Sequence, residues 1–399
     1  MSTTTIDSPL AEAKNAPPIN LLTLGIGAGL SSIVVTYLSQ SYGWRQGALF
    51  VVGVGAGLVL YHAAFGFTSA WRNAIRTGRS SGLRAQMLML AVTTAVFLPL
   101  LANGQAWGLE LSGSIRPLNS SVAAGAFLFG IGMQLGGGCA SGTLFTVGGG
   151  NSRMVITLIA FIVGSVLGAL HLPAWQQAPG VGPVSLQAEF GTAQALAVTL
   201  GLLASIWAGA AWIERRRHGN VLRLNQGTSG QSWLRGPWPL VVGALGLAVV
   251  NIATLTLAGR PWGITSGFAL WGSKMVAAIG VDVASWPYWQ SASRAAALDG
   301  SVFSDITSIM NFGIVLGALM AAGLAGRFAP VWRIPVRSLA AAIMGGLLLG
   351  YGARIAYGCN IGAFFSGISS SSVHGWVWLV AAFVGSGIGI RMRPYFGLD

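Results

Sequence analysis

Charge is scarce in this 399-residue chain: Asp, Glu, Lys and Arg make up 8% of it, against 53% hydrophobic residues. A soluble domain carries roughly 25% charged residues, so no fold could cover this chain with an ordinary hydrophilic surface. Soluble globular and disordered classes are excluded on that ground. Cysteine occurs only as Cys139 and Cys359, each flanked by glycine within apolar sequence. That excludes a disulfide scaffold and offers no zinc-binding spacing. Acidic residues are limited to Asp7, Glu12, Glu110, Glu189, Glu214, Asp282, Asp299, Asp305 and Asp399. None lies in the middle of an apolar run, which argues against a proton relay of buried carboxylates. There is no Walker A sequence, so ATP-driven pumping by this chain alone is excluded. The four histidines, His62, His171, His218 and His374, share no spacing; they are expected at interfaces or in loops, without a role. No residue cluster calls for a metal or cofactor.

What the chain has in quantity is apolar length. A helix needs about 20 apolar residues to cross the hydrocarbon. Ten runs qualify: 20–39, 47–64, 85–102, 120–137, 152–170, 191–213, 238–258, 302–325, 337–355 and 373–390. Four apolar pieces too short to cross, 65–71, 139–149, 262–281 and 359–370, read as re-entrant or broken helices, tolerated where protein or water covers the backbone. Glycine, at 59 positions, fits close helix packing in lipid. Gly53-Val-Gly55-Ala-Gly57 lacks dinucleotide-binding spacing and falls in the same class.

The net charge of +13 comes from arginines in short runs between apolar stretches, a pattern that orients spans in a bilayer; nucleic-acid binding is not expected. Placing Arg72, Arg76, Arg79 and Arg84 in the cytoplasm and alternating puts Arg215, Arg216, Arg217, Arg223 and Arg235 on the same side, with Lys14, Arg153, Arg327, Arg333, Arg337, Arg391 and Arg393. Arg45, Arg116, Arg260, Lys274 and Arg294 fall outside, and Arg354 within a span. The expected topology has both termini cytoplasmic, in a bacterial inner membrane. Residues 1–19, polar with Pro17 and Pro18, read as a disordered cytoplasmic tail.

The halves repeat each other. Phe65-Gly66-Phe67-Thr68-Ser69-Ala70 matches Trp262-Gly263-Ile264-Thr265-Ser266-Gly267, and Gly138-Cys139-Ala140-Ser141-Gly142 matches Gly358-Cys359-Asn360-Ile361-Gly362. With five spans per half, the second copy is inverted. The expected fold is therefore an all-α polytopic membrane protein of about ten transmembrane helices in two inverted repeats, 20–190 and 191–399, with re-entrant loops and a cytoplasmic loop at 214–236. Inverted repeats with interrupted helices are one way that transporters place a midplane site.

The chemistry-bearing residues lie at those interruptions. The run from Gly136 through Gly137 and Gly138 to Thr143 is too glycine-rich for a stable helix interior, and the helix after it offers a positive N-terminal end to an anion. Cys139, Ser141 and Thr143 stand on this segment; Gly358, Cys359 and Asn360 stand on its counterpart. Thiols are weak donors and polarizable, suited to a soft sulfur-bearing anion. A helix end contributes at most about 2 kcal/mol against a cost of tens for an isolated buried anion, so other donors must share the load. Arg354 is the basic residue placed to do so, or else it pairs with backbone carbonyls. Thr68, Ser69, Thr265 and Ser266 either offer hydroxyls on the same path or satisfy local carbonyls.

The runs LGGGCASGTLFTVGGG (135–150), RPWGITSGFALWGSK (260–274) and LGYGARIAYGCNIGAFFSGISSSSVHGW (349–376) resemble the YeeE/YedE family of sulfur-compound transporters, whose characterised members take up thiosulfate. The resemblance extends from about residue 47 over nearly the whole chain. It implies an hourglass-shaped protein with loops meeting at the midplane, and an anion relayed between thiols by S–H···S contacts. Cys139 and Cys359 match two of the family's transport cysteines. A third is commonly found where this chain has Gly66. The resemblance further implies a small cytoplasmic TusA-like sulfur carrier as partner, and YedE-like members have been linked to selenium metabolism. A membrane-embedded sulfur or selenium transferase working through cysteine persulfides is the alternative expectation.

Overall fold

The computed structural model describes residues 17–225, 233–331 and 333–398. Most of the expected tail (1–16) and part of the 214–236 loop (226–232) lie outside the described residues. The helices are α1 (Leu21–Tyr42), α2 (Trp44–His62), α3 (Phe67–Arg76), α4 (Ser81–Asn103), α5 (Ser120–Gly136), α6 (Ala140–Gly148), α7 (Ser152–Gln176), α8 (Leu186–Phe190), α9 (Thr192–His218), α10 (Leu240–Ala258), α11 (Thr265–Ala278), α12 (Ala292–Asp299), α13 (Ile306–Ala325), α14 (Val336–Ile355), a π-helix (Asn360–Phe365), α15 (Ser366–Ser369) and α16 (His374–Met392). Two short antiparallel ribbons join loops. One pairs β1 (Gln105–Ala106) with β2 (Leu109–Glu110); the other pairs β3 (Pro117–Asn119) with β4 (Gly180–Pro183), Leu118 opposite Val181.

Among the described residues, ten helical segments are long and apolar enough to cross a membrane. In lipid every backbone N–H and C=O must find its partner within the protein, which a helix achieves by itself. Three of the ten are broken: Trp44–Arg76, Ser120–Gly148 and Val336–Ser369. The breaks fall at 63–66, 137–139 and 356–359, at or beside the interruptions expected from sequence. The glycine run is less disrupted than expected: only 137–139 leaves the helix, and Ala140 to Thr143 already belongs to α6.

Buried side chains hold backbone groups at the start of α3 and in the stretch that leads into α11, as a low-dielectric surrounding requires. Gln134 on α5 donates through Nε2 to Thr68 O at 3.2 Å, and Arg354 on α14 donates through Nη2 to Thr265 O at 2.6 Å. Asn311 donates to Ile264 O at 3.0 Å, Asn251 accepts from Trp262 N at 2.9 Å, and Ser366 donates to Trp262 O at 2.7 Å. Gln134 and Arg354 stand 220 positions apart, the same offset as the two cysteines.

The packing repeats with that offset too. α14 lies against α7 as α5 lies against α16, and α5 and α14 lie against each other. A methyl group added at Gly132 would lie 2.8 Å from both Gly345 O and Leu349 N; one added at Gly352 would lie 2.8 Å from Phe129 N and collide with Gly125 O. Each half thus offers the other a side-chain-free stripe, and the backbones of α5 and α14 touch there.

One end of the bundle is rich in arginine. There Glu214, fully buried at the end of α9, lies 3.3 Å from both Arg79 and Arg84 and accepts from Ser80 Oγ at 2.6 Å. This cluster ties the end of α9 to the start of α4.

Candidate functional site

Each cysteine ends a break and begins a helix. Gly137 takes the left-handed conformation (φ +95°) that turns the chain out of α5, which a glycine adopts at little cost. Arg153 then covers the end of α5, with Nη1 2.8 Å from Gly136 O and Nη2 2.7 Å from Leu135 O. Cys139 follows in extended conformation as the residue capping α6. In the other half Tyr357 (φ +59°) and Gly358 make the turn, Trp378 Nε1 donates to Gly358 O at 3.2 Å, and Cys359 precedes the π-helix, again extended. Thr143 N donates to Cys139 O at 2.8 Å, and Ala363 N donates to Cys359 O at 2.8 Å.

Both thiols are free and buried. The N–H groups of Ser141 and Gly142 face Cys139 Sγ, and those of Ile361 and Gly362 face Cys359 Sγ. Neither sulfur closes a capping hydrogen bond, so the N-terminal donors of both helices stay available. Cys139 Sγ has one side-chain partner, Ser141 Oγ at 3.3 Å. The two thiols lie close enough to interact electrostatically, and α6 touches the π-helix. Asn360, next to Cys359, is fully buried with neither amide atom bonded to protein.

Away from the arginine-rich end, Arg116, Arg294 and Arg354 gather around Tyr288, with Arg260 near Arg116. Arg354 donates to Tyr288 Oη at 2.7 Å, and Arg294 lies 4.5 Å over the Tyr288 ring. Enclosure by protein, and then the charges of Arg294, Arg260 and Arg354, lower the Arg116 pKa from its ordinary value. The carboxylate in reach, Asp305, lies 3.9 Å from Arg260. Such a cluster attracts anions and repels cations.

Residues 62–388 match the sulphur-transport family. The chain belongs to that family. Among its relatives is the thiosulfate transporter TsuA of Spirochaeta thermophila, 28% identical over 341 residues, which cover 82% of this chain and 92% of that protein. The probable transporter YedE of Escherichia coli is 31% identical over 170 residues, 41% of each chain; the Salmonella typhimurium YedE is 30% identical over 171 residues. This chain therefore aligns with about two-fifths of the length of the YedE relatives. Ten apolar helices and this membership make it a multi-pass membrane protein of a sulfur-compound transporter family.

Within this family member, the residues singled out from sequence do not all share one place. Cys139, Ser141, Gly358, Cys359 and Asn360 come together around the thiols, with Gly137 and Gly138 building the turn. A methyl at Gly138 would come 3.0 Å from Gly142 C and 3.1 Å from Thr143 N. Thr143, by contrast, gives its hydroxyl to Cys139 O at 2.9 Å. Arg354 is held by Thr265 O and Tyr288 Oη, as the backbone-pairing alternative foresaw, but its Nε has no partner. Ser69 Oγ donates to Gly66 O at 3.2 Å, whereas Thr68 Oγ1 is buried without a partner. Thr265 is buried, while Ser266 is exposed and bonds Thr307 Oγ1 at 3.1 Å.

The expectation for the histidines needs correcting. His171 and His218 are exposed, but His62 is buried, and His374 is wholly so. Nδ1 of His374 lies 2.6 Å from Ser372 Oγ, and its Nε2 has no partner. Gln134, Asn311 and Gln86 were also missed. Each is a neutral amide on a largely apolar helix, and no spacing or motif in the sequence sets it apart.

Proposed function

We propose that this chain carries thiosulfate or a closely related sulfur anion across the bacterial inner membrane, handing it between Cys359 and Cys139. In this reading the halves are inverted repeats, the arginine-rich end and both termini face the cytoplasm, and the arginines around Tyr288 collect the anion outside. Support comes from the repeated hydrogen bonds and packing, and from the thiosulfate specificity named for the Spirochaeta relative. The observation that carries the proposal is the pair of free, neighbouring buried thiols, each heading a helix whose N-terminal N–H groups face it.

The chemistry fits a soft anion. Its sulfur can accept from a thiol, while its oxygens take the helix N-terminal donors, Asn360 and Ser141. No single donor offsets the dehydration of a buried anion, so the load is spread over two half-sites a short step apart. Substrate-binding roles are proposed for Cys139, Cys359, Ser141, Asn360 and Arg354, with Gly137, Gly138 and Gly358 shaping the turns. Delivery to a small cytoplasmic TusA-like carrier is part of the same proposal.

Uptake of labelled thiosulfate into liposomes holding the purified chain, with sulfate, sulfite and selenite as competitors, tests it. Cys139→Ala and Cys359→Ala are each expected to abolish uptake while preserving membrane insertion; full uptake by either refutes the thiol pathway. A stable persulfide on Cys139 during turnover, detected by mass spectrometry, would instead indicate a transferase.

A further inference from the structure

Three membrane-crossing segments meet around a cavity. α7 and α14 begin at it and α13 ends a few residues before it, leaving a recess of about 480 Å³ between them. Sites that take a small molecule run to roughly 300–1,000 Å³. Apolar spans end where hydrocarbon gives way to headgroups, so the recess lies at the depth of the phospholipid phosphates. α4 leaves the Glu214 end, α5 returns to it and α7 leaves again. The recess is therefore on the arginine-rich end.

Its lining is cationic. Arg153, Arg327 and Arg333 face it, and no acidic residue does. Among the described residues no carboxylate pairs with any of the three. Arg153 uses Nε on Ser338 Oγ at 2.9 Å, Nη1 on Gly136 O and Nη2 on Leu135 O. A guanidinium has five N–H donors, so two remain, and three neutral partners leave its charge uncompensated. Ser152 and Ser338, in the first turns of α7 and α14, also line the recess. α14 has no side-chain cap, so its first N–H groups lack an acceptor in the helix. Unpaired cations and donors without a negative charge make an anion site.

The remaining lining selects the kind of anion. Phe145, Val331 and Ile334 share the recess with the arginines, and Val331 and Val336 beside Arg333 are 62% and 80% exposed. A free inorganic anion makes no use of such surface, whereas a lipid covers it with glycerol and the first acyl carbons. Basic pockets between spans hold anionic headgroups in this way. We propose that the recess binds the headgroup of one anionic phospholipid, with its phosphate on Arg327, Arg333 and the remaining N–H groups of Arg153. Arg153 also holds the last carbonyls of α5, just before the turn to Cys139, so the bound lipid steadies that turn. The site stands whether or not the chain carries thiosulfate.

The test is native mass spectrometry of the purified chain titrated with phosphatidylglycerol, with phosphatidylcholine of the same acyl chains, and with inorganic phosphate. One phosphatidylglycerol should bind per chain, about tenfold or more tighter than phosphatidylcholine, and Arg327→Gln/Arg333→Gln should remove that preference. Both arginines are exposed, so this variant is expected to fold. Arg215→Gln/Arg216→Gln takes equal charge from the same end without touching the recess, and it should keep the preference. Equal binding of the two lipids, a preference that survives in Arg327→Gln/Arg333→Gln, or an equal loss in Arg215→Gln/Arg216→Gln overturns the proposal. Displacement of the lipid by an equal concentration of inorganic phosphate overturns it too, since the site would then serve a free anion. Phosphatidylglycerol should also raise the melting temperature of the unaltered chain and not that of Arg327→Gln/Arg333→Gln; equal rises would refute the steadying of the turn through this site.

Discussion

Asn360 bears directly on whether the buried polar atoms beside Cys359 serve a passing anion. An amide buried with no partner costs about 1–3 kcal/mol, and neither amide atom of Asn360 has one. Asn360→Leu should therefore leave the melting temperature of the purified protein unchanged or raised, yet lower thiosulfate uptake about tenfold or more. Intact uptake in that variant would take Asn360 off the path. Arg354 behaves differently because it has two tasks, holding Thr265 O and presenting charge. Arg354→Gln should raise the half-saturating thiosulfate concentration, and Arg354→Lys should not fully restore it, since a single ammonium cannot reproduce the planar fork. Competition assays at varied thiosulfate check both, and an unchanged half-saturation in Arg354→Gln would leave Arg354 a purely structural role.

Among the helices, the α5–α14 contact decides whether the two breaks face each other. Its closeness depends on positions where a side chain has no room, such as Gly132 against Gly345 O and Leu349 N. Gly132→Val should cost about 1–3 kcal/mol through forced separation of the helices, seen as a lower melting temperature and a smaller monodisperse peak in size-exclusion chromatography. Gly55→Ala is the matched control, because a methyl there meets nothing within 4 Å. Equal effects from the two changes would show that the close approach is not what holds these helices. The boundaries of these helices were readable beforehand, to within a few residues for most spans. A run of about 20 apolar residues bounded by Arg, Pro or Gly leaves little choice in lipid. The short pieces were also legible, as in 139–149 against the observed Ala140–Gly148.

Across the whole molecule, charge is confined to a few places, and one of them is internal. Glu214 is completely buried and faces Arg84, itself almost buried. Removing one partner of such a pair leaves the other uncompensated, at a cost of about 3–5 kcal/mol. Glu214→Gln should therefore lower the melting temperature sharply, and a small shift would show that the arginines find water instead. Sequence placed Glu214 just beyond a span; that it reaches Arg79 and Arg84, more than a hundred residues earlier, came only from the bundle closing.

Apolar length, arginine placement and the recurrent glycine–cysteine runs were enough to establish ten spans, the breaks and the two thiols as the place to look, because each is local and repeats along the chain. The partners that give the site its character were decided by tertiary structure alone. Gln86 turned to Trp71, Gln134 and Arg354 on equivalent carbonyls, buried His374 and the arginines around Tyr288 all depend on which helix faces which. One polar residue on an apolar helix carries no periodic signal. Its meaning is set by the group opposite, and that group lies on a distant part of the chain.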